Sequence, residues 1–300
     1  MFKNVLITGG AGYIGSHVSE ILVKNNKKLF IVDDLSTGHK RLINKKSKFF
    51  KTSILNSSKL KKIININKID SIIHLAAALS VEESQRLPNK YYKINVLGTK
   101  KLLLAIKNSR VENFIFSSTC AVYKDGLKKV SEKSKLIPRS IYGKTKLKAE
   151  KLIKSFCTKN KINFAILRFF NVVGASESGR IGQINKGDQL FKNLSSEMKK
   201  KKPEFKIYGK NYNTKDGTCI RDYIHVSDLS EIHIKILQKI NLIKKSEILN
   251  CGYGKGISVQ QVINEFKRYS KKVIKIVNLP RRKGDMIKIT SDTNKLNKFL

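Results

Sequence analysis

The chain has 300 residues, 62 of them Lys or Arg against 22 Asp or Glu, for a formal charge of +40 and a hydrophobic content of 40%. Such a length buries a substantial core, and no run of about 18 consecutive apolar residues marks a membrane span. Cys120, Cys157, Cys219 and Cys251 form no C-x-x-C pair, so they read as reduced, mostly buried residues rather than disulfides or metal ligands.

The basic excess would attract nucleic acid or other polyanions. However, Lys, Asn and Ile crowd almost every segment, and lysines fall at element ends and in loops, as in "KNNKK" and "NKKSK", with little aromatic interleaving. We read the charge as compositional bias and expect no nucleic-acid partner. The opening "MFKNVLITGG" has one early lysine and a short apolar stretch that runs into glycines. It lacks the length and cleavage site of a secretory signal, so a cytoplasmic protein is expected. His17, His39, His74, His225 and His233 lack ligand spacing, and no metal site is expected.

In chain order, "NVLITGGAGYIGSHVSEILVKNN" reads as a strand, a glycine turn and a helix, with Gly9, Gly12 and Gly15 spaced G-x-x-G-x-x-G. This context suits a dinucleotide: a tight turn, close backbone approach to pyrophosphate and a helix N-terminus aimed at the anion. "KKLFIVDDL" is a second strand, and it places Asp33 18 residues after Gly15 (33 − 15). A carboxylate there accepts hydrogen bonds from ribose hydroxyls and repels a 2′-phosphate, which favours NAD over NADP.

"IDSIIHLAAAL" is a further apolar run, "NVLGTKKLLLAIKNS" is helical, and "VENFIFSSTCAVY" is a strand ending in hydroxyls. "YGKTKLKAEKLIKSFCTKN" is helical and "INFAILRFFNVVG" is another strand. Strands alternating with helices predict an α/β fold, a Rossmann-like doubly wound parallel sheet covered on both faces. After Gly174 the sequence turns polar and loop-rich. We expect a Rossmann-like domain over 1–174 and a smaller C-terminal substrate lobe over 175–300, partly interleaved because "EILNCG" resembles a strand able to rejoin the sheet.

Tyr142 and Lys146 are four apart in a helical pattern, which puts them on one face. A free tyrosine, with a pKa of about 10, is a poor base at neutral pH. A nearby ammonium and a positive nicotinamide ring both favour the phenolate. Thr119 lies 23 residues upstream (142 − 119), where its hydroxyl can bond the same substrate oxygen, with Ser117 and Ser118 as competitors.

The stretches "TGGAGYIGSH", "VDDLSTG", "IIHLAA", "INVLGT", "FSSTCAVY", "YGKTKLKAE", "LRFFNVVGA", "DGTCIRDYIHV", "LNCGYGKGISV" and "RRKGD" occur in order from about residue 2 to residue 292. With them the chain resembles the UDP-glucose 4-epimerase family of extended short-chain dehydrogenases/reductases. The resemblance implies an isomerase that holds NAD tightly and recycles it. Tyr142 would take the proton of the sugar 4-hydroxyl while the C4 hydride passes to NAD⁺, and the 4-keto sugar would turn over and take the hydride back on its other face. Thr119 and Lys146 would complete the catalytic group.

It further implies cofactor contacts at Gly9, Gly12, Tyr13, Ile14, Gly15, Asp33, Asp34, Ser53, Ile54, Leu75, Ala76, Ala77, Asn95, Tyr142 and Lys146. The UDP-sugar would be held by Thr119, Asn171, Arg221, Arg282 and Asp285, with the two guanidiniums clamping the diphosphate. A homodimer through paired helices is implied as well.

Several departures bear on this expectation. Ser53 and Asn56 stand where the family carries an adenine-contacting aspartate motif, and the C-terminus is expected to be short by a helical segment. Ile289 falls at the position that gates N-acetylated sugars, and being smaller than tyrosine it leaves UDP-N-acetylhexosamines open as substrates. A 4,6-dehydratase would need an Asp-Glu pair after Thr119, where Cys120 and Ala121 stand. A decarboxylating or reducing relative, and a polyanion-binding protein on the same scaffold, are the other readings.

Overall fold

A computed structural model describes residues 2–126, 129–184, 189–282 and 285–300. Seven strands form one sheet: β1 (Asn4–Thr8), β2 (Lys28–Asp33), β3 (Lys48–Lys51), β4 (Ser71–His74), β5 (Asn113–Thr119), β6 (Asn163–Phe169) and β7 (Glu247–Cys251). Every pairing between them is parallel, and the order across the sheet is β7-β6-β5-β4-β1-β2-β3. The order reverses between β1 and β4, the point at which doubly wound sheets open a crevice at the carboxyl ends of their strands.

Side-chain alternation explains why both faces are covered. Val5, Ile7, Ile31, Ile73 and Ile115 point to one side, where they pack with Val18 and Leu22 of the helix Tyr13–Lys24 and with Ile234 and Leu237 of the helix Val226–Ile243. Leu6, Phe30, Val32, Ile72, Phe114 and Phe116 point to the other. There they meet Leu60 and Ile63 of Ser57–Ile66, Leu102 and Ile106 of Thr99–Ile106, and Ala149 and Ile153 of Ile141–Lys159.

The expected helix across residues 95–109 differs in one respect. Residues Tyr92–Gly98 form a π-helical turn before the α-helix Thr99–Ile106 begins. Wider π turns cluster at functional sites, and this one carries Asn95.

The second lobe is built from a five-stranded sheet (Lys129–Val130, Lys288–Ser291, Ile220–His225, Gly256–Ser258, with Asn171–Val173 beside Ile220–His225) and a parallel pair, Glu204–Tyr208 with Lys275–Leu279. Leu194, Phe205, Ile207, Tyr223, Val262 and Ile263 form its core. Residues after 174 do return to the main sheet, as β7 beside β6.

Candidate active site

A cleft of about 1770 Å³ runs along the carboxyl ends of the strands and is walled on its far side by the second lobe. At one end lies the glycine turn. Gly9 adopts φ +76°, and a Cβ there would meet the Ala76 backbone nitrogen at 2.7 Å. The turns after β1 and β4 therefore touch, and only glycine fits between them. Gly12 caps the helix Tyr13–Lys24 without a side-chain bond, leaving the first N–H groups facing the cleft.

Gly9, Gly12, Tyr13, Ile14, Gly15, Asp33, Asp34, Ser53, Ile54, Leu75, Ala76 and Ala77 all line this part of the cleft. The Tyr13 hydroxyl donates to the Gly174 carbonyl at 2.7 Å, which ties the glycine turn to the start of the second lobe. Asp33 accepts from the Ala11 and Leu35 N–H groups at 3.1 and 2.8 Å. Burial pushes its carboxyl up, while these two bonds pull it down. Two of about four lone-pair sites are thus spent, and the carboxylate, which lines the cleft, can accept more bonds. A bare helix N-terminus beside a half-satisfied carboxylate fits a dinucleotide: pyrophosphate at the first, ribose hydroxyls at the second.

One expected contact, Asn95, lies behind the wall rather than in it, as does Asn56 of the departing adenine motif. Asn56 accepts from the Lys59 N–H at 3.1 Å and caps the helix Ser57–Ile66. Asn95 is buried. It accepts from the Ala78 N–H at 2.8 Å and donates to the Ala78 carbonyl and the Thr145 hydroxyl, both at 3.1 Å. Its side chain is consumed in latching the turn after β4 to the helix Ile141–Lys159, so it positions the cofactor wall without lining it.

The catalytic group sits mid-cleft. Ser140 caps the helix Ile141–Lys159 by accepting from the Gly143 N–H at 3.1 Å. A Cβ on Gly143 would come within 2.3 Å of the Ala121 carbonyl. That close approach presses the helix start onto the end of β5 and sets Tyr142 beside Thr119, whose hydroxyl acts on the phenol. The competing hydroxyls are occupied: Ser117 donates to the His74 carbonyl at 3.1 Å and Ser118 donates to Glu150. Thr119 is the hydroxyl that faces Tyr142.

Burial drives the Tyr142 phenol above its ordinary value, and the neighbouring Thr119 hydroxyl draws it down. One turn on, Lys146 is buried as well. Its ammonium points at the Ser117 carbonyl, 2.5 Å away, over the Phe116 ring, and burial lowers its own pKa to about 7. The protein's own groups thus hold Tyr142 as a phenol.

At the far end, Asn171, Arg221, Arg282 and Asp285 line the cleft. Asp285 lies between the two guanidiniums, 3.1 Å from Arg282 Nε and 3.9 Å from Arg221. Its role here is to aim the arginines. Lys283 and Gly284 of the same motif lie outside the described residues. Tyr208, missed in the sequence, stacks under the Arg282 guanidinium at 4.8 Å; the alternating strand "EFKIYG" was its only signal. Ile289 is buried behind Cys120 and Phe170, away from the cleft surface. Among the described residues all four cysteines are free and buried, and no helix is long and apolar enough to cross a membrane.

Comparisons with known proteins agree with this geometry. The sequence model of the NAD dependent epimerase/dehydratase family matches residues 5–252. A UDP-glucose 4-epimerase of Lactobacillus helveticus is 36% identical over 300 residues, 99% of this chain and 90% of that protein. Among solved structures, a Stenotrophomonas maltophila UDP-glucose 4-epimerase with bound NAD and formylated UDP-arabinopyranose superposes with a TM-score of 0.94 at 33% identity. That match covers 99% of this chain and 92% of that one. The UDP-Glc/GlcNAc 4-epimerase of Campylobacter jejuni gives 0.85 at 37% identity, with the same coverage.

Proposed function

This chain belongs to the NAD-dependent epimerase/dehydratase family, and from that premise we propose that it is an NAD-dependent UDP-hexose 4-epimerase interconverting UDP-galactose and UDP-glucose. The observation that carries the reading is the succession along one cleft: a glycine turn and Asp33, then Thr119 and Tyr142, then Arg221 and Arg282. A dinucleotide at one end and a nucleotide diphosphate at the other bring a nicotinamide and a sugar carbon together beside one phenol.

NAD, when bound, would accept and return the C4 hydride and would bring a cationic ring that favours the Tyr142 phenolate. In that form Tyr142 removes the 4-hydroxyl proton and gives it back. Thr119, whose hydroxyl draws the phenol pKa down, steadies the same oxygen. Arg221 and Arg282 hold the diphosphate while the 4-keto sugar turns. Cys120 and Ala121 provide no acid–base pair for dehydration, so the hydride returns to C4.

UDP-N-acetylhexosamines form a second reading, favoured by the burial of Ile289: the wall at this point is made by Cys120, Phe170 and Met286, without a bulky ring at position 289. We also place the enzyme in the cytoplasm and as a homodimer, readings that rest on its motifs.

The test is conversion of UDP-galactose to UDP-glucose by purified protein without added NAD, repeated with UDP-N-acetylglucosamine. Turnover of the first supports the proposal. Activity with the N-acetylated sugar alone moves the substrate, and turnover of neither removes the epimerase reading.

A further inference from the structure

Beneath Lys146 lies a buried polar chain that the reaction as described does not use. Glu150, one helical turn beyond Lys146, is the sole acid of the helix Ile141–Lys159. Arg168 on β6 grips it with two bonds, Nε to Oε1 at 3.0 Å and Nη2 to Oε2 at 2.8 Å, with both side chains almost fully buried. The Ser118 hydroxyl also donates to Oε1. Arg168 continues to the Tyr123 hydroxyl at 3.0 Å, and Tyr123 to Asn250 Oδ1 at 2.6 Å. The chain thus links the catalytic helix to β5, β6 and β7.

Burying an ion pair is costly, and replacing one with apolar residues is often neutral or stabilising. Stability alone is therefore a weak reason for this pair. Its placement suggests another. The Lys146 ammonium sits against the Ser117 carbonyl and Phe116 ring of β5, with Glu150 of its own helix and His74 of β4 in electrostatic reach. Glu150 is the one carboxylate in that shell, with Arg168 paired behind it. His74 adds no opposing charge: buried between Thr8 and Thr99, its pKa is lowered to about 3 and it stays neutral.

We propose that Glu150, locked by Arg168, is a positioning residue that keeps the Lys146 ammonium in place and, through Ser118, seats the strand end that presents Thr119 to Tyr142. Ser117 accepts from Lys146, Ser118 donates to Glu150, and Thr119 faces the phenol. Three successive residues of β5 are thereby registered against one helix by two opposite charges four positions apart. The attraction of Glu150 works against the burial that lowers Lys146. The inference deepens the 4-epimerase reading and rests on it for its catalytic meaning.

Its test compares wild type with Glu150→Gln at matched NAD content. Competitive acetylation of Lys146 across pH, read by peptide mass spectrometry, gives the lysine's titration midpoint without any turnover. The midpoint is expected to fall by about one pH unit, because the carboxylate one helical turn away favours the charged lysine. In parallel, the alkaline limb of kcat should move to lower pH by a similar amount, with KM within about twofold because Glu150 touches no substrate.

Glu150→Gln leaves Arg168 buried without its counter-charge, so a second variant, Glu150→Gln with Arg168→Met, removes both charges and should show the same direction of shift. An unmoved midpoint overturns the proposal whether or not the protein turns over sugars. A lower kcat at every pH with no shift assigns the pair a structural role alone and also overturns it. Absence of wild-type turnover would strike the epimerase reading instead, and the acetylation midpoint would still decide the tie between Glu150 and Lys146.

Discussion

The Thr119 hydroxyl stands beside the Tyr142 phenol across the junction between β5 and the catalytic helix, and it is the group that pulls against the burial raising that phenol. Tyr142→Phe should therefore retain NAD while losing most of the rate, roughly 10²–10⁴-fold in kcat, the usual contribution of a positioned acid–base. Cofactor released on denaturation and measured by absorbance separates the two effects. Unchanged turnover would clear Tyr142 of its role.

Gly9 stands where the turns after β1 and β4 touch, at φ +76°. Gly9→Ala adds backbone strain of about 1–3 kcal/mol together with a clash against Ala76. The expected outcome is protein purified without tightly held NAD and with a lowered melting temperature. Full NAD content in this variant would contradict the placement of the pyrophosphate at the glycine turn.

Arg282 stacks on Tyr208 and pairs with Asp285 at the far end of the cleft. Arg282→Met should raise KM for the UDP-sugar about 10- to 100-fold with little change in kcat, because the diphosphate is held alike in ground and transition states. UDP should weaken as an inhibitor in the same proportion. A fall in kcat at constant KM would move Arg282 into the chemistry.

His74 and His233 are both buried, and burial lowers their pKa values to about 3 and about 4. In the unfolded chain both titrate near 6.5. Between pH 6.5 and 4 the unfolded state binds more protons, so stability is complete above pH 6.5 and is lost as pH falls. The loss should be on the order of 2–3 kcal/mol per histidine by pH 4. Urea titrations at pH 7 and pH 4.5 would measure it. Equal stabilities at the two pH values would contradict neutral burial of these rings.

The parallel sheet was readable because each strand alternates apolar side chains toward two helical layers, as Val5, Leu6 and Ile7 do. The glycine turn was readable because sterics leave no other residue for Gly9. Asn95 was placed at the cofactor because its motif marks the neighbourhood. The residue's actual bonds, to Ala78 and Thr145, join segments about 17 and 50 positions away and leave no local trace.

Glu150 stood in plain view within "YGKTKLKAE", yet its partner Arg168 lies on another strand, and a single acid among lysines reads as surface. The surroundings of Tyr142 are only half legible for a related reason. Helical spacing places Lys146 on the correct face, but the direction of its ammonium depends on the Ser117 carbonyl of a strand packed against it.

The second lobe also constrains motion. The polypeptide leaves the main sheet after β6, comes back through the helix Val226–Ile243 to lay down β7, and departs again toward Gly256–Ser258. Those repeated crossings act as staples along the seam, so the two lobes are tied at several points of the chain rather than at one hinge. A 4-keto sugar that must present both faces to one hydride donor needs room to pivot in place, and walls tied at several points favour a cleft of about 1770 Å³ that keeps its width over one that swings open.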